Sequence, residues 1–152
     1  MTPSPNSSNP TNYCPQINIA NATEFELVNP CKQSNFIMSS VVNGELTFIV
    51  ENLPKTTPTT GCTGWWMFAQ MMDHFKSVGT IIDAVVGSWT YGDNLAVLNQ
   101  LTSGANPLSL EDAAKQTKTA QYAASRQYVN STVTSFAGTP GNYTKVRVLF
   151  AK

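Results

Sequence analysis

The chain has 152 residues, enough for one domain that buries about two-thirds of its unfolded surface. Only 12 % of the residues are charged, about half the usual share, and the charges sum to zero. This balance excludes the basic surface typical of nucleic-acid binders. No run of about 18 apolar residues predicts a membrane span, and the N-terminus lacks the apolar core of a signal peptide. A mature fragment with an added Met would look the same, so we expect either a secreted or delivered protein or a soluble cytoplasmic one.

The three cysteines, Cys14, Cys31 and Cys62, leave two interpretations open. A Cys14–Cys31 bridge in an oxidising compartment would contribute about 3 kcal/mol by closing a loop. Alternatively, all three are reduced thiols that behave as small apolar residues. The spacing shows no C-x-x-C pair and no Cys/His metal pattern, so we predict neither a metal nor a cofactor.

The N-terminal half predicts a tail followed by strands. Residues 1–13 are rich in Pro, Ser, Asn and Thr and predict a disordered tail before a single domain at 14–152. Apolar residues then alternate with polar ones across 16–28, which predicts one or two short strands. Next, residues 36–42 and 45–50 flank Asn43-Gly44, a dipeptide that favours a two-residue type I′ turn. We therefore predict a β-hairpin here.

The sequence GWWMFAQMMDHFK, residues 64–76, predicts the central core helix. Large apolar side chains crowd together in it, and no β-branched residue interrupts them. Trp65, Phe68, Met72 and Phe75 follow the spacing of one helical face. Gly79 is well placed to end the helix near residue 77.

The second half predicts helices and a closing hairpin. Residues 80–86 are ambiguous between strand and helix, and two glycines place 87–94 in a loop. Asp93 can cap a short helix, and Ser109 can cap a long one over 110–128. Residues 132–136 and 143–150 predict a second hairpin. The fold class is therefore α+β: an antiparallel sheet built from the N-terminal and C-terminal hairpins, with the helices 64–77 and 110–128 packed on one face.

Three segments near the C-terminus, GSWTYGDNLAVLN, LEDAAKQTKTAQYAA and GTPGNYTKVRVLF, suggest a family. In this order they resemble the closing part of the effector domains at the C-termini of bacterial Rhs-type polymorphic toxins. The resemblance covers residues 87–152 and includes no catalytic motif. It implies delivery into a neighbouring cell and a cognate immunity protein as a partner, but no particular reaction. The chain departs from the family in lacking the long repeat region.

Three residues are candidates for catalysis. His74 is the only histidine, so any mechanism that needs an imidazole must use it. Asp83 could serve as its acidic partner, and Arg126 could bind an anion. The alternative for His74 is a structural or solvated position on the edge of the core helix.

The predicted loop 87–94 is the best candidate for ligand binding. Trp89 and Tyr91 offer flat ring faces for a sugar or a base, and Asp93 and Asn94 offer hydrogen bonds. The alternative is that Trp89 packs inward, Tyr91 covers the surface and Asp93 only caps a helix. Two functions follow: an effector-like domain that acts on a target in another cell, or a non-catalytic module that uses this segment to grip a ligand or a protein partner.

Overall fold

The computed structural model describes residues 15–30, 34–52 and 63–152 and has an α+β fold. The predicted tail and all three cysteines lie outside these residues. None of the helices in these ranges combines the length and the hydrophobicity of a membrane-spanning helix. The elements in chain order are β1 (Gln16–Ala20), β2 (Glu24–Val28), β3 (Asn35–Val42), β4 (Glu45–Asn52), α1 (Gly64–Ser77), β5 (Ala84–Trp89), α2 (Gly92–Leu101), α3 (Leu110–Ala114), α4 (Lys118–Ala124), β6 (Asn130–Ala137) and β7 (Lys145–Ala151).

The strands form a seven-stranded, mostly antiparallel sheet in the order β1-β2-β3-β4-β5-β7-β6. The prediction of a purely antiparallel sheet is wrong for one pair, because β4 and β5 run parallel. The reason is the connection between them: it contains α1, and a crossover through a helix returns the chain in the same direction. A short turn would have reversed it.

Two compact units make up the described chain. The first comprises the described residues within Met1–Asn43 and Phe48–Ile81. The second comprises Gly44–Thr47 and Ile82–Lys152. Strand β4 therefore supplies residues to both.

In the first unit, β3 and β4 form the predicted hairpin. The turn residues Asn43 and Gly44 have φ angles of +52° and +78°, as a type I′ turn requires. The side chains of Asn35 and Asn52 are joined by a 2.9 Å hydrogen bond, as expected for residues that face each other across this register. The hairpin prediction is confirmed, and so are the two short strands before it, which pair as β1 and β2.

Helix α1 is also confirmed. It begins after Thr63, whose hydroxyl accepts a hydrogen bond from the backbone N–H of Trp66 at 3.1 Å. It ends at Ser77, and the N–H of Thr80 bonds back to the carbonyl oxygen of Phe75. Its main contacts are with β2 and β3. The residues buried on it are Gly64, Met67, Phe68, Met71, Met72 and Phe75.

The burial of Trp65 was predicted wrongly, because this side chain is 42 % exposed. Successive helical residues turn by about 100°. The fully buried Phe75 and Met71 define the centre of the buried face, and Trp65 lies about 80–120° around the helix from them. It therefore lies at the edge of that face.

In the second unit, β6 and β7 form the predicted C-terminal hairpin and β7 also pairs with β5. The buried side of these strands is apolar, because alternate residues point to the same side of a sheet. The buried pairs across β5 and β7 are Val85–Phe150, Gly87–Val148 and Trp89–Val146. Helices α2 and α4 contact β5, and α3 contacts β6.

The single long helix predicted over 110–128 is wrong, since the chain forms two short helices there. The break is at Thr117, whose backbone is extended (φ −72°, ψ 159°). Its hydroxyl accepts from the N–H of Ala120 and donates to the carbonyl oxygen of Ala114. Thr117 thus ends the first helical segment and caps the start of α4.

We predict that Phe68→Ala destabilises the first unit by about 3–5 kcal/mol, because it removes a fully buried aromatic ring and leaves a cavity. Trp65→Ala is the matched control on the same helix and should cost much less, because that ring is partly in water. Urea unfolding followed by circular dichroism measures both. Equal losses for the two variants would contradict the burial pattern of α1.

Candidate functional site

The segment 87–94 is not the loop that the sequence predicts. Gly87, Ser88 and Trp89 belong to β5, and α2 begins at Gly92. Only Thr90 and Tyr91 lie between the two elements. The reason is that β5 continues its hydrogen-bonded pairing with β7 as far as Trp89, which lies opposite Val146. Glycine usually marks a turn, but here Gly87 allows a close approach inside a strand.

Trp89 is held in place by that close approach. Its indole lies over Gly87 on the same side of the strand, and a methyl group at position 87 would overlap the ring. The side chain is only 8 % exposed. Trp89 is therefore a packing residue at the end of β5, with little of its ring open to a ligand.

Asn94 connects two helices of the second unit. Its Oδ1 accepts a hydrogen bond from the backbone N–H of Lys118 at 3.0 Å. Its Nδ2 donates to the hydroxyl of Thr119 at 3.1 Å. Both ends of the amide are thus engaged with the first turn of α4, where backbone N–H groups lack partners within the helix. Asn94 fixes the start of α2 against the start of α4.

Tyr91 and Asp93 are the two predicted binding residues that remain exposed. Tyr91 is 80 % exposed and occupies the N-cap position of α2, where it makes no side-chain capping bond. The predicted capping role of Asp93 is wrong, because this residue lies inside the first turn. Its carboxylate there interacts favourably with the helix dipole. The segment therefore exposes a phenol ring and a carboxylate two residues apart in the sequence, at the junction that Trp89 and Asn94 hold.

The catalytic candidate His74 belongs to the first unit. Its Nε2 donates a 2.7 Å hydrogen bond to the carbonyl oxygen of Asn21. Its ring stacks on Phe25, with 5.1 Å between the ring centroids. These contacts attach α1 to the β1–β2 turn, which is a structural use of the imidazole.

Asp83 and Arg126 lie in the second unit, away from the exposed pair Tyr91 and Asp93. Asp83 precedes β5 whereas Trp89 ends it, so about 20 Å of extended strand separates them. Arg126 follows α4, about 12 Å along the helix direction from the Lys118 N–H that Asn94 holds. The four binding candidates lie within residues 89–94. The structure does not bring the catalytic candidates Asp83 and Arg126 to this segment.

Tyr128 is not among the site residues that the sequence predicts. Its hydroxyl donates a 2.8 Å hydrogen bond to the carbonyl oxygen of Ile82, beside Asp83. Burial raises the pKa of the Tyr128 phenol above its ordinary value of 10.0, and the negative charge of Asp83 raises it further. The phenol is therefore neutral at physiological pH and acts as a donor. No local sequence pattern indicates this contact, because the partners are 46 residues apart.

A small cavity lies beside Tyr128 in the second unit. Its volume is about 120 Å³, smaller than the roughly 150 Å³ cavity that holds a benzene molecule. It is lined by Lys115, Ala120, Ala124, Tyr128, Val129 and Phe150. Most of this lining is apolar, so it offers few polar groups to orient a ligand.

Comparisons with known proteins assign no function to the chain, so the proposed function rests on the geometry described above. No family model, no curated protein and no solved structure matches the chain. The resemblance of residues 87–152 to Rhs-type effector domains therefore stays a prediction. Within residues 15–30, 34–52 and 63–152, no group of three or more His, Cys, Asp or Glu side chains could hold a metal ion.

We predict that Gly87→Ala destabilises the second unit by about 1–3 kcal/mol, because the new methyl group forces the Trp89 indole out of its position. Ser88→Ala is the matched control, since Ser88 is exposed on the same strand. Urea unfolding measures the stability, and near-UV circular dichroism reports the tryptophan environment. A Gly87→Ala variant with wild-type stability and an unchanged spectrum would show that the indole does not lie over Gly87.

Proposed function

We propose that the chain is a non-catalytic binding module that grips a ligand or a protein partner at the junction of β5 and α2. The contacting groups are the phenol of Tyr91 and the carboxylate of Asp93. The observation that supports this proposal is the 80 % exposure of Tyr91 on a backbone that is fixed on both sides. Trp89 anchors the chain before it, and Asn94 anchors the chain after it.

This arrangement suits binding because it lowers the entropic cost of association. A backbone that is already fixed on both sides of Tyr91 loses little conformational freedom when a partner arrives. Tyrosine combines a flat apolar face with a hydroxyl group, so it can contact both the C–H face and the polar groups of a sugar. The same combination makes tyrosine common at the centre of protein–protein contacts.

The effector-like function is the biological context that we propose for this binding module. A domain delivered into another cell can act by occupying a target, and a cognate immunity protein would be a protein partner of the kind that Tyr91 could grip. This context rests on the resemblance of residues 87–152 alone.

We expect Tyr91→Ala to weaken ligand binding at least tenfold, as for an aromatic residue at the centre of a contact. Ser88→Ala is the control, because it is exposed nearby but lies outside the proposed contact. A glycan array tests the carbohydrate class, and p-benzoylphenylalanine at position 91 tests a protein partner by photo-crosslinking. The same photo-reactive residue at Gln116, also exposed in the second unit, is the crosslinking control. The proposal would be contradicted if Tyr91→Ala changed no glycan signal and if the residue at position 91 gave no more crosslinks than the residue at position 116.

The effector context makes a separate prediction about growth. Expression of the chain in a bacterial host should impair growth, and co-expression of an adjacent immunity-like gene should restore it. Growth curves with the Tyr91→Ala variant link the effect to the proposed site, since this variant should be harmless. Unimpaired growth with the wild-type chain alone would count against the effector context and would leave the binding proposal standing.

A further inference from the structure

Within residues 15–30, 34–52 and 63–81, the sheet of the first unit has α1 on one side and no helix on the other. Directly paired residues on adjacent antiparallel strands point to the same side. Phe25, Leu27 and Ile37 point to the side of α1 and are buried. On that side Phe48 of β4 contacts Phe68 of α1, with 5.3 Å between the ring centroids. The alternate residues of the same strands point the other way.

A row of apolar side chains crosses this helix-free side. Ile19 of β1 pairs with Glu26 of β2, and Glu26 pairs with Met38 of β3. The two-residue turn at Asn43-Gly44 then places Ile49 of β4 opposite Met38. Ile19, Met38 and Ile49 are 37 %, 45 % and 57 % exposed. Large apolar side chains that are close together and exposed indicate an interaction surface more often than isolated ones do.

The charged side chains that the described strands β1 to β4 place on this side are all negative. Glu24 and Glu26 are on β2, and Glu51 of β4 shares the side of Ile49. No ion pair involves these three carboxylates in the part of the chain that the structure describes, and no lysine or arginine of β1 to β4 lies on this side. By contrast, Glu45 near the start of β4 is paired with Arg147 at 2.7 Å. We call this side, with Ile19, Met38, Ile49 and the three glutamates, the acidic face.

We infer that the acidic face binds a polypeptide segment in which apolar residues alternate with lysine or arginine. The apolar side chains of such a segment cover Ile19, Met38 and Ile49 and remove them from water. Its cations approach Glu24, Glu26 and Glu51, none of which has a cationic partner among the described residues. Complementary charge also sets the specificity and speeds the encounter.

The same charges argue against the other occupants. A second copy of the chain would bring its own glutamates against these three, and like charges in an interface are unfavourable. Nucleic acid and anionic membranes carry negative charge as well. This proposal uses residues of the first unit only and does not depend on the function proposed for Tyr91 and Asp93.

Methyl groups of methionine provide a direct test with an internal control. Met38 lies on the acidic face, whereas Met67 and Met71 are fully buried on α1. The chain is labelled with ¹³C at the methionine methyl groups and titrated with an eight-residue peptide of alternating lysine and leucine. The Met38 methyl signal should shift, and the Met67 and Met71 signals should stay in place. A peptide of alternating glutamate and leucine should cause no shift.

Charge reversal identifies the carboxylates. Glu26→Lys should weaken binding of the lysine–leucine peptide at least fivefold, and Glu26→Lys with Glu24→Lys should let the glutamate–leucine peptide bind instead. Asp112→Lys changes the net charge by the same amount in the second unit and should leave the affinity unchanged. Unmoved Met67 and Met71 signals in each variant show that the fold is intact.

Several results would overturn the inference. These are equal affinity for the two peptides, a lysine–leucine complex that leaves the Met38 signal unmoved, or no shift at millimolar peptide. Self-association that shifts the Met38 signal as the protein concentration rises would make a second copy the occupant, and this result would also overturn it.

Discussion

The carbonyl oxygen of Gly44 is the contact on which the parallel pairing of β4 and β5 depends. It accepts hydrogen bonds from the backbone N–H groups of Asp83 and Ala84, at 2.7 and 3.2 Å. These bonds fix the register in which Glu45 lies opposite Ala84. The φ angle of Gly44 is +78°, a backbone conformation that favours glycine, and a methyl group here would also displace the exposed Asp83 carboxyl group. Gly44 thus completes the turn of the β3–β4 hairpin, and its carbonyl oxygen starts the pairing of β4 with β5.

The features that the sequence predicts well are those decided by neighbouring residues. The Asn43-Gly44 turn needs only two residues that tolerate positive φ, and the alternation of polar and apolar residues on each side supplies the strands. The start of α1 at Thr63 and its end before Gly79 are local as well. Capping and turn chemistry act within about five residues, so the local sequence contains the necessary information without any knowledge of tertiary contacts.

The features that the sequence missed are decided by contacts between distant residues. Gly87 is typical of a loop in the sequence. In the structure it lies in β5, where the Trp89 indole packs over it and β7 pairs with the strand. The sequence suggests that the Asn94 amide binds a ligand. In the structure both its oxygen and its nitrogen form hydrogen bonds with the start of α4. Of the four binding candidates, Tyr91 and Asp93 keep exposed side chains, and this distinction is not present in the sequence segment itself. A residue type indicates what a side chain can do, and tertiary contacts decide whether that side chain is exposed.

The acidic face also shows how an exposed apolar surface can persist on a folded protein. Sheet surfaces with apolar side chains tend to associate with copies of themselves, and charged residues placed among the apolar ones oppose this. Glu26 lies between Ile19 and Met38 in the same cross-strand row, so no apolar partner can cover that row without also covering a carboxylate. Burying an unpaired carboxylate is costly, and the cost falls when a cation comes with the partner. The glutamates that oppose self-association therefore favour a basic partner, because one arrangement of charge produces both effects.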